Sequence, residues 1–196
     1  MKALAALAFV FFALLASGCF APLKQLVHAS AIEQQLTSAA IARSVAALPV
    51  EGIDHRNRYV LRIAAPKGVD TSLIRARLEQ RLADVDIRLQ PERAARGPEL
   101  LAEVPFAGAD SEVTLIGVPF VVPGLPVALG DISLYKSSTV TGRARVELSA
   151  WSRDRARVTS LPAVEASRYY RNVTFLTFIG PFRFSNLDEP LPGDEP

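Results

Sequence analysis

The side chains that could carry chemistry are few. The chain has one cysteine, Cys19, and two histidines, His28 and His55, neither with a second histidine four residues away. A histidine-based zinc site would need both, plus carboxylates. Asp54 sits beside His55 in a polar stretch, too short an association to define an acid–base pair. Asp84 and Asp86 are two apart, which on an extended chain puts both carboxylates on one face, the arrangement from which an acid and a base can be tuned apart. On a strand start open to water the same spacing is a solvated face. Arg168, Tyr169, Tyr170 and Arg171 interleave guanidinium and aromatic groups, which can stack on a ligand or close a loop over a sheet edge. There is no G-x-S-x-G elbow, no G-x-x-x-x-G-K-[ST] loop and no G-x-G-x-x-G turn. These residues point to no catalytic group, no metal ligand and no cofactor, and so to a protein that is not an enzyme; a hydrolase with an unrecognised site is the third-ranked reading.

Cys19 has a more specific context. Lys2 gives a short positive start, and Ala3 to Ala16 is an uninterrupted apolar run of 14 residues. As a helix it reaches about 21 Å at 1.5 Å per residue, short of the roughly 30 Å of a bilayer core. Its length fits the apolar core of a signal peptide. Ala16-Ser17-Gly18 then precede Cys19. This resembles a bacterial lipoprotein signal, with Leu15 one place further back than the usual leucine. The resemblance implies cleavage after Gly18, diacylglycerol on the Cys19 sulfur and acylation (palmitate or similar) of the new amino group. Stable anchoring takes more than one acyl chain, and a triacylated cysteine meets that condition. Phe20 follows where an aspartate would signal inner-membrane retention, so the resemblance favours the periplasmic face of the outer membrane.

Residues 19–196 have the length of an ordinary domain. A formal charge of +2 over the whole chain gives no case for nucleic acid as a partner. With Cys19 lipidated no thiol is left, so no intrachain disulfide or thiolate site can form. No Gly/Ser-rich tether separates Cys19 from Pro22, so the domain is expected close to the bilayer.

After Pro22 the strong helix formers up to Leu48, without a further Gly or Pro, predict a helix. Ile41, Val45 and Leu48 share one face with Leu36 and Ala40, while Arg43 and Ser44 lie away from it. "RYVLRIAA", from Arg58, predicts a strand. Asp70 is a good N-cap for "TSLIRARLEQRLA", in which Ile74, Leu78 and Leu82 face a core and Arg75, Glu79 and Arg81 face water. "VDIRLQ" predicts the second strand of a β-α-β unit. "PELLAEVPF" alternates as a strand that Pro105 should end or confine to an edge, and "SEVTLIGV" continues extended. Gly117 to Gly130, "GVPFVVPGLPVALG", is apolar, but its three prolines exclude helix and central strand. From Ile132 to Ala150 the even positions are mostly apolar and the odd ones polar, predicting one dry face, with a bend or bulge near Gly142. "SRDR" turns this strand back into "ARVTSLP" as a long hairpin. The expected class is α/β (α+β): a mixed, mostly antiparallel sheet with two main helices on one face. Residues 1–18 are the signal peptide, 19–187 the domain, and 188–196 an acidic, Pro-rich disordered tail.

"AIEQQLTSAAIARSV", the pair "LIGVP…PGLP" with "ISLYKSSTVTGRARVELSAW", and the closing "FLTFIGPFRFS", in this order, resemble an uncharacterised family of bacterial lipoproteins with a domain of unknown function. That family has no assigned activity, so the resemblance implies no catalytic residue. At fold level the element order is also similar to curli-secretion lipoproteins and to lipoprotein activators of cell-wall synthases. The expected role is a lipid-anchored, non-enzymatic envelope protein that binds another protein near the membrane, the alternative being a subunit of a membrane-associated secretion or transport assembly. Val118, Phe120, Val121, Val122 and Leu125 of the apolar segment, with Tyr169 and Tyr170, are the candidate contact residues, since exposed apolar area of this extent marks an interface.

Overall fold

The computed structural model describes residues 30–91, 97–119, 131–153 and 158–190. The elements run α1 (Ala31–Ala46), β1 (Arg58–Ala64), α2 (Thr71–Asp84), β2 (Arg88–Gln90), β3 (Glu99–Pro119), β4 (Asp131–Trp151), β5 (Val158–Ser160), β6 (Val164–Phe175) and β7 (Ile179–Ser185). The seven strands form one mixed sheet in the order β2-β1-β3-β4-β6-β7, with β5 on β4. The expected α+β class, with two helices and a mixed sheet, is the observed one. The signal peptide, Cys19, His28 and residues 120–130 lie outside the described residues.

The chain divides into two compact units, and β3, β4 and β6 run from one into the other. The larger unit contains the helices, β1 and β2. Of the predicted helix, the part before Ser30 lies outside the described residues, and α1 is capped at Ser30. Ser30 holds an extended ψ of 160°, its side chain accepts from the Glu33 N–H, and the Glu33 carboxylate accepts from the Ser30 N–H at 2.6 Å. This reciprocal capping box satisfies two otherwise orphan donors and marks Ala31 as the first helical residue. Leu36, Ala40, Ile41, Val45 and Leu48 are all buried, as their spacing requires. Ser44 is buried with them, contrary to expectation; its hydroxyl donates to the Ile41 carbonyl at 2.9 Å, so its burial leaves no unmet donor.

Asp70 caps α2, accepting from the Ser72 and Leu73 N–H groups. Ile74, Leu78 and Leu82 are fully buried. Arg75 pairs with Glu79 one turn on, whereas Arg81 is half-buried and donates to the Leu48 carbonyl rather than facing water. Hydrogen bonds from the Ser72 side chain and the Leu73 N–H hold the Asp70 carboxyl below its ordinary pKa. A depressed carboxylate pKa stabilises the fold above the unfolded-state value, and that contribution is lost as pH falls through the lower folded-state value. Asp70→Asn, which retains a capping side chain, should therefore show a weaker fall in Tm through the acid range than the parent, measured by circular dichroism from pH 6 downwards.

β1 lies between β2 and β3, parallel to both, in the register Arg58↔Arg88 and Val60↔Glu99. The β1-α2-β2 crossover is the predicted β-α-β unit. β1 covers β3 only from Glu99 to Glu103. Pro105 does not end the strand, contrary to the expectation from its missing N–H; it lies two residues past Glu103, where pairing with β1 stops, so it removes no donor from the β1 ladder. Nor does Gly142 break β4. A Cβ at Gly142 would lie 2.5 Å from the Leu36 carbonyl oxygen and 2.8 Å from the Leu36 Cβ. This glycine lets the backbones of α1 and β4 touch. The turn back into β5 is antiparallel, with Ser149↔Ser160 and Trp151↔Val158. Ala144, Val146 and Leu148 fill the core on the predicted dry face.

Candidate interaction surface

In the smaller unit, made from Ser111–Thr139 and Tyr170–Phe184, the dry face of β4 is reversed. Ser133 and Ser137 are buried there, while Leu134 is 52% exposed. The reason is a polar tie across the strands. Arg171 of β6 donates from Nε to Ser137 Oγ at 3.0 Å and from Nη2 to the Tyr135 hydroxyl at 2.7 Å. Hydrogen bonding with Ser137 and then with Arg171 holds the Tyr135 phenol below its ordinary pKa. Thr177, in the turn after β6, accepts from the Ser133 N–H and donates to the Ser133 carbonyl. Leu176 and Thr177 adopt positive φ (47° and 67°) in this turn, a strained choice for non-glycine residues. The Leu176 N–H donates to the Leu134 carbonyl, so both residues are fastened to β4.

Large apolar side chains gather on this unit and are not covered. Phe178 is 79% exposed, and Ile116, Leu134, Phe175, Leu176, Ile179, Phe182 and Phe184 are each at least 41% exposed. The rings are continuous across strands: Tyr135 meets Phe175 at a centroid distance of 5.5 Å in a tilted contact, and Phe175 meets Phe182 at 6.2 Å edge-on. Edge contacts of this kind are favourable geometry for aromatic groups. Gly180, at φ 123°, is needed for β7 to lie this close, because a Cβ there would be 2.8 Å from the Val173 carbonyl oxygen.

Of the candidate contact residues, Val118 lies in β3, and Phe120, Val121, Val122 and Leu125 lie outside the described residues. Tyr169 is exposed and Tyr170 half-buried, but the surrounding arginines are not free to stack on a ligand. The stretch is strand β6, not a loop. Arg168, in the larger unit, is 1% exposed. Its guanidinium donates to the Asn186 carbonyl, to the Glu189 carbonyl at 2.8 Å and to the Glu189 carboxylate at 2.9 Å. Glu189 also pairs with Arg43 at 3.2 Å. Of the expected tail 188–196, Glu189 is held: a buried guanidinium needs a counter-charge, and Glu189 supplies it, while residues 191–196 lie outside the described residues. The exposed aromatic cluster was legible only as "FLTFIGPFRF", a run that periodicity alone could not distinguish from a buried strand.

The carboxylates are equally committed. Asp54 accepts from the Arg56 N–H and from the Asn57 side chain, and its carbonyl accepts from the Tyr59 hydroxyl; it builds a turn and leaves His55 exposed beside it. Asp84 is the last residue of α2 and Asp86 a turn residue at φ 61°, so they do not share a strand face; β2 starts only at Arg88. A cavity of about 410 Å³ in the larger unit is lined by Glu33, Thr37, Ser38, Asp70 and Leu73, among others. Its two carboxylates are the capping groups of α1 and α2. Among the described residues no three His, Cys, Asp or Glu side chains are grouped to hold a metal ion, and no helix is long and apolar enough to cross a membrane. Compared with protein-family models, curated proteins and solved structures, the chain matches none of them.

Proposed function

We propose that the chain is a non-enzymatic, lipid-anchored bacterial envelope protein that binds protein close to the membrane, of the kind its resemblance to uncharacterised lipoproteins implies. The observation that carries the binding role is the aromatic row from Tyr135 through Phe175 to Phe182, on a unit where Phe178 and Phe184 are also exposed. Side chains of this size are normally withdrawn from water, and grouped exposure of this kind marks a contact surface. Aromatic groups also dominate the energetics of protein interfaces. The anchor rests on Cys19 and the apolar run before it. The periplasmic face of the outer membrane is the location this signal favours.

Cys19→Ala should move the protein from the membrane to the soluble fraction of the envelope and abolish palmitate labelling. Phe178→Ser/Phe182→Ser should leave fractionation and Tm near those of the parent, because both rings are already exposed, while removing the proteins that co-purify with the parent. Membrane retention by the Cys19 variant would refute the anchor, and an unchanged set of co-purifying proteins would refute the surface. The second reading, a subunit of a membrane-associated assembly, is favoured by one observation: the aromatic row runs to an open sheet edge at β7.

A further inference from the structure

We infer that the protein on this surface is a second copy of the same chain, joined edge to edge through β7 of one copy and the distal half of β3 of the next. The inference rests on the binding role proposed above and names its partner. In the smaller unit the strand order is β3-β4-β6-β7. β1 reaches only Glu103 of β3, so from Ser111 to Pro119 β4 is the sole partner of β3 among the described strands. β7 closes the other end, with every residue from Ile179 to Ser185 exposed. Among the described strands both edges therefore offer backbone N–H and C=O groups to a further strand. Pro181 removes one donor from β7.

Direction is set by the fold. The distal half of β3 and the proximal half of β4 share the unit, so these strands run oppositely. The Leu176–Leu134 and Arg171–Ser137 contacts make β6 antiparallel to β4. The Asn186 N–H donates to the Tyr169 carbonyl, and Gly180 abuts Val173, which makes β7 antiparallel to β6. Four alternating strands leave β3 and β7 opposed. Two copies in the same orientation then meet as an antiparallel pair, and the sheet continues without a change of pattern.

Charge selects the pairing. Glu112 on the β3 edge and Arg183 on the β7 edge are both exposed, and neither has an ion pair among the described residues. Glu112 is the second residue of the β3 stretch in this unit, and Arg183 the second-last of the β7 stretch, which places them at matching ends of an antiparallel contact. Opposite charges favour β7 on β3, whereas an antiparallel β7–β7 or β3–β3 contact would set its two like charges at opposite ends and gain no such pair. Such a head-to-tail contact repeats, closing into a ring or extending into a filament.

The test is native mass measurement of the full-length lipoprotein in mild detergent. The parent should run at a multiple of the chain mass. Arg183→Glu and Glu112→Arg should each shift it to a single chain, and the double reversal Glu112→Arg/Arg183→Glu should recover the multiple. Circular dichroism of each variant checks that a loss of mass is not a loss of fold. Cysteines placed together at 112 and 183 should give a disulfide ladder on a non-reducing gel that neither single cysteine gives. A parent that runs as one chain, a multimer indifferent to either reversal, or a double reversal that stays single overturns the inference. A single-chain protein that still loses its co-purifying proteins on Phe178→Ser/Phe182→Ser would leave the binding role standing with a different partner.

Discussion

Gly142→Ala is expected to destabilise the larger unit by about 3 kcal/mol, the upper end of what overpacking a close contact costs. The added methyl would sit 2.5 Å from the Leu36 carbonyl oxygen and also against the Leu36 carbonyl carbon, both backbone atoms of α1. Backbone cannot rotate out of the way as a side-chain tip can. Helix α1 must move off β4, and Leu36 and Ala40, both fully buried, lose contacts with it. For a chain of this size about 3 kcal/mol corresponds to a fall in Tm of roughly 6–12 °C. Thermal melts by circular dichroism check this. A change of under about 2 °C would mean that α1 does not approach β4 as described. The position has no positive φ, so Ala gains the usual unfolded-state term of about 0.4–1 kcal/mol, which is too small to offset the clash with the Leu36 backbone.

Arg168→Ala should cost still more, about 3–5 kcal/mol, the range for deleting a large side chain from a fully enclosed site. The guanidinium reaches three acceptors on the C-terminal segment, two of them backbone carbonyls. Its removal leaves a hole in a fully enclosed site and frees residues 186–190. Arg168→Lys should recover only part of the loss, because a single ammonium lacks the planar fork that spans separate acceptors. Glu189→Gln should also destabilise, because it leaves a guanidinium that is 1% exposed without its counter-charge, while the Glu189 carbonyl and the new amide oxygen still accept. Hydrogen exchange gives the distinguishing readout: amides near Asn186 should lose protection in Arg168→Ala well before the amides of α2. Protection that falls uniformly would contradict a local clamp.

Much of the larger unit was legible because its elements bury one face each. Asp70 announces α2, and the i, i+4, i+8 spacing of Ile74, Leu78 and Leu82 gives its buried face. The start of α1 was also written in the sequence, as Ser30-x-x-Glu33, but the run of helix formers upstream of Ser30 masks it. Ser44 and Arg168 show where residue type misleads. Each is polar and buried because a specific acceptor lies in reach, Ile41 for one and Asn186 with Glu189 for the other. Such partners, distant in the chain for Arg168, leave no periodic trace. Gly142 was readable as an interruption, but whether a glycine marks a bulge or a close approach depends on what lies opposite.

The smaller unit was less legible. On β4 the alternation that fits Ala144, Val146 and Leu148 breaks at Ser137, because Arg171 pulls the odd-numbered polar side chains inward. The aromatic cluster around Phe178 could not be placed inside or outside from its own sequence, since a strand buried on both faces and one bare on both read alike. The neighbouring Gly117–Gly130 segment is the more conspicuous apolar run in the sequence, and its described part is the end of β3. The paired carboxylates at Asp84 and Asp86 were lost for a simpler reason: α2 extends through Asp84, so the two belong to different local structures.

The proposed role stands or falls on whether the aromatic row is occupied by protein in the envelope. The most direct measurement is photocrosslinking in living cells from a photoreactive phenylalanine analogue at position 182, with the same analogue at Arg77, an exposed residue of α2, as control. A discrete protein adduct at position 182 that is absent at position 77 is the predicted result. Position 182 giving no adduct, or adducts with lipid alone, would contradict it.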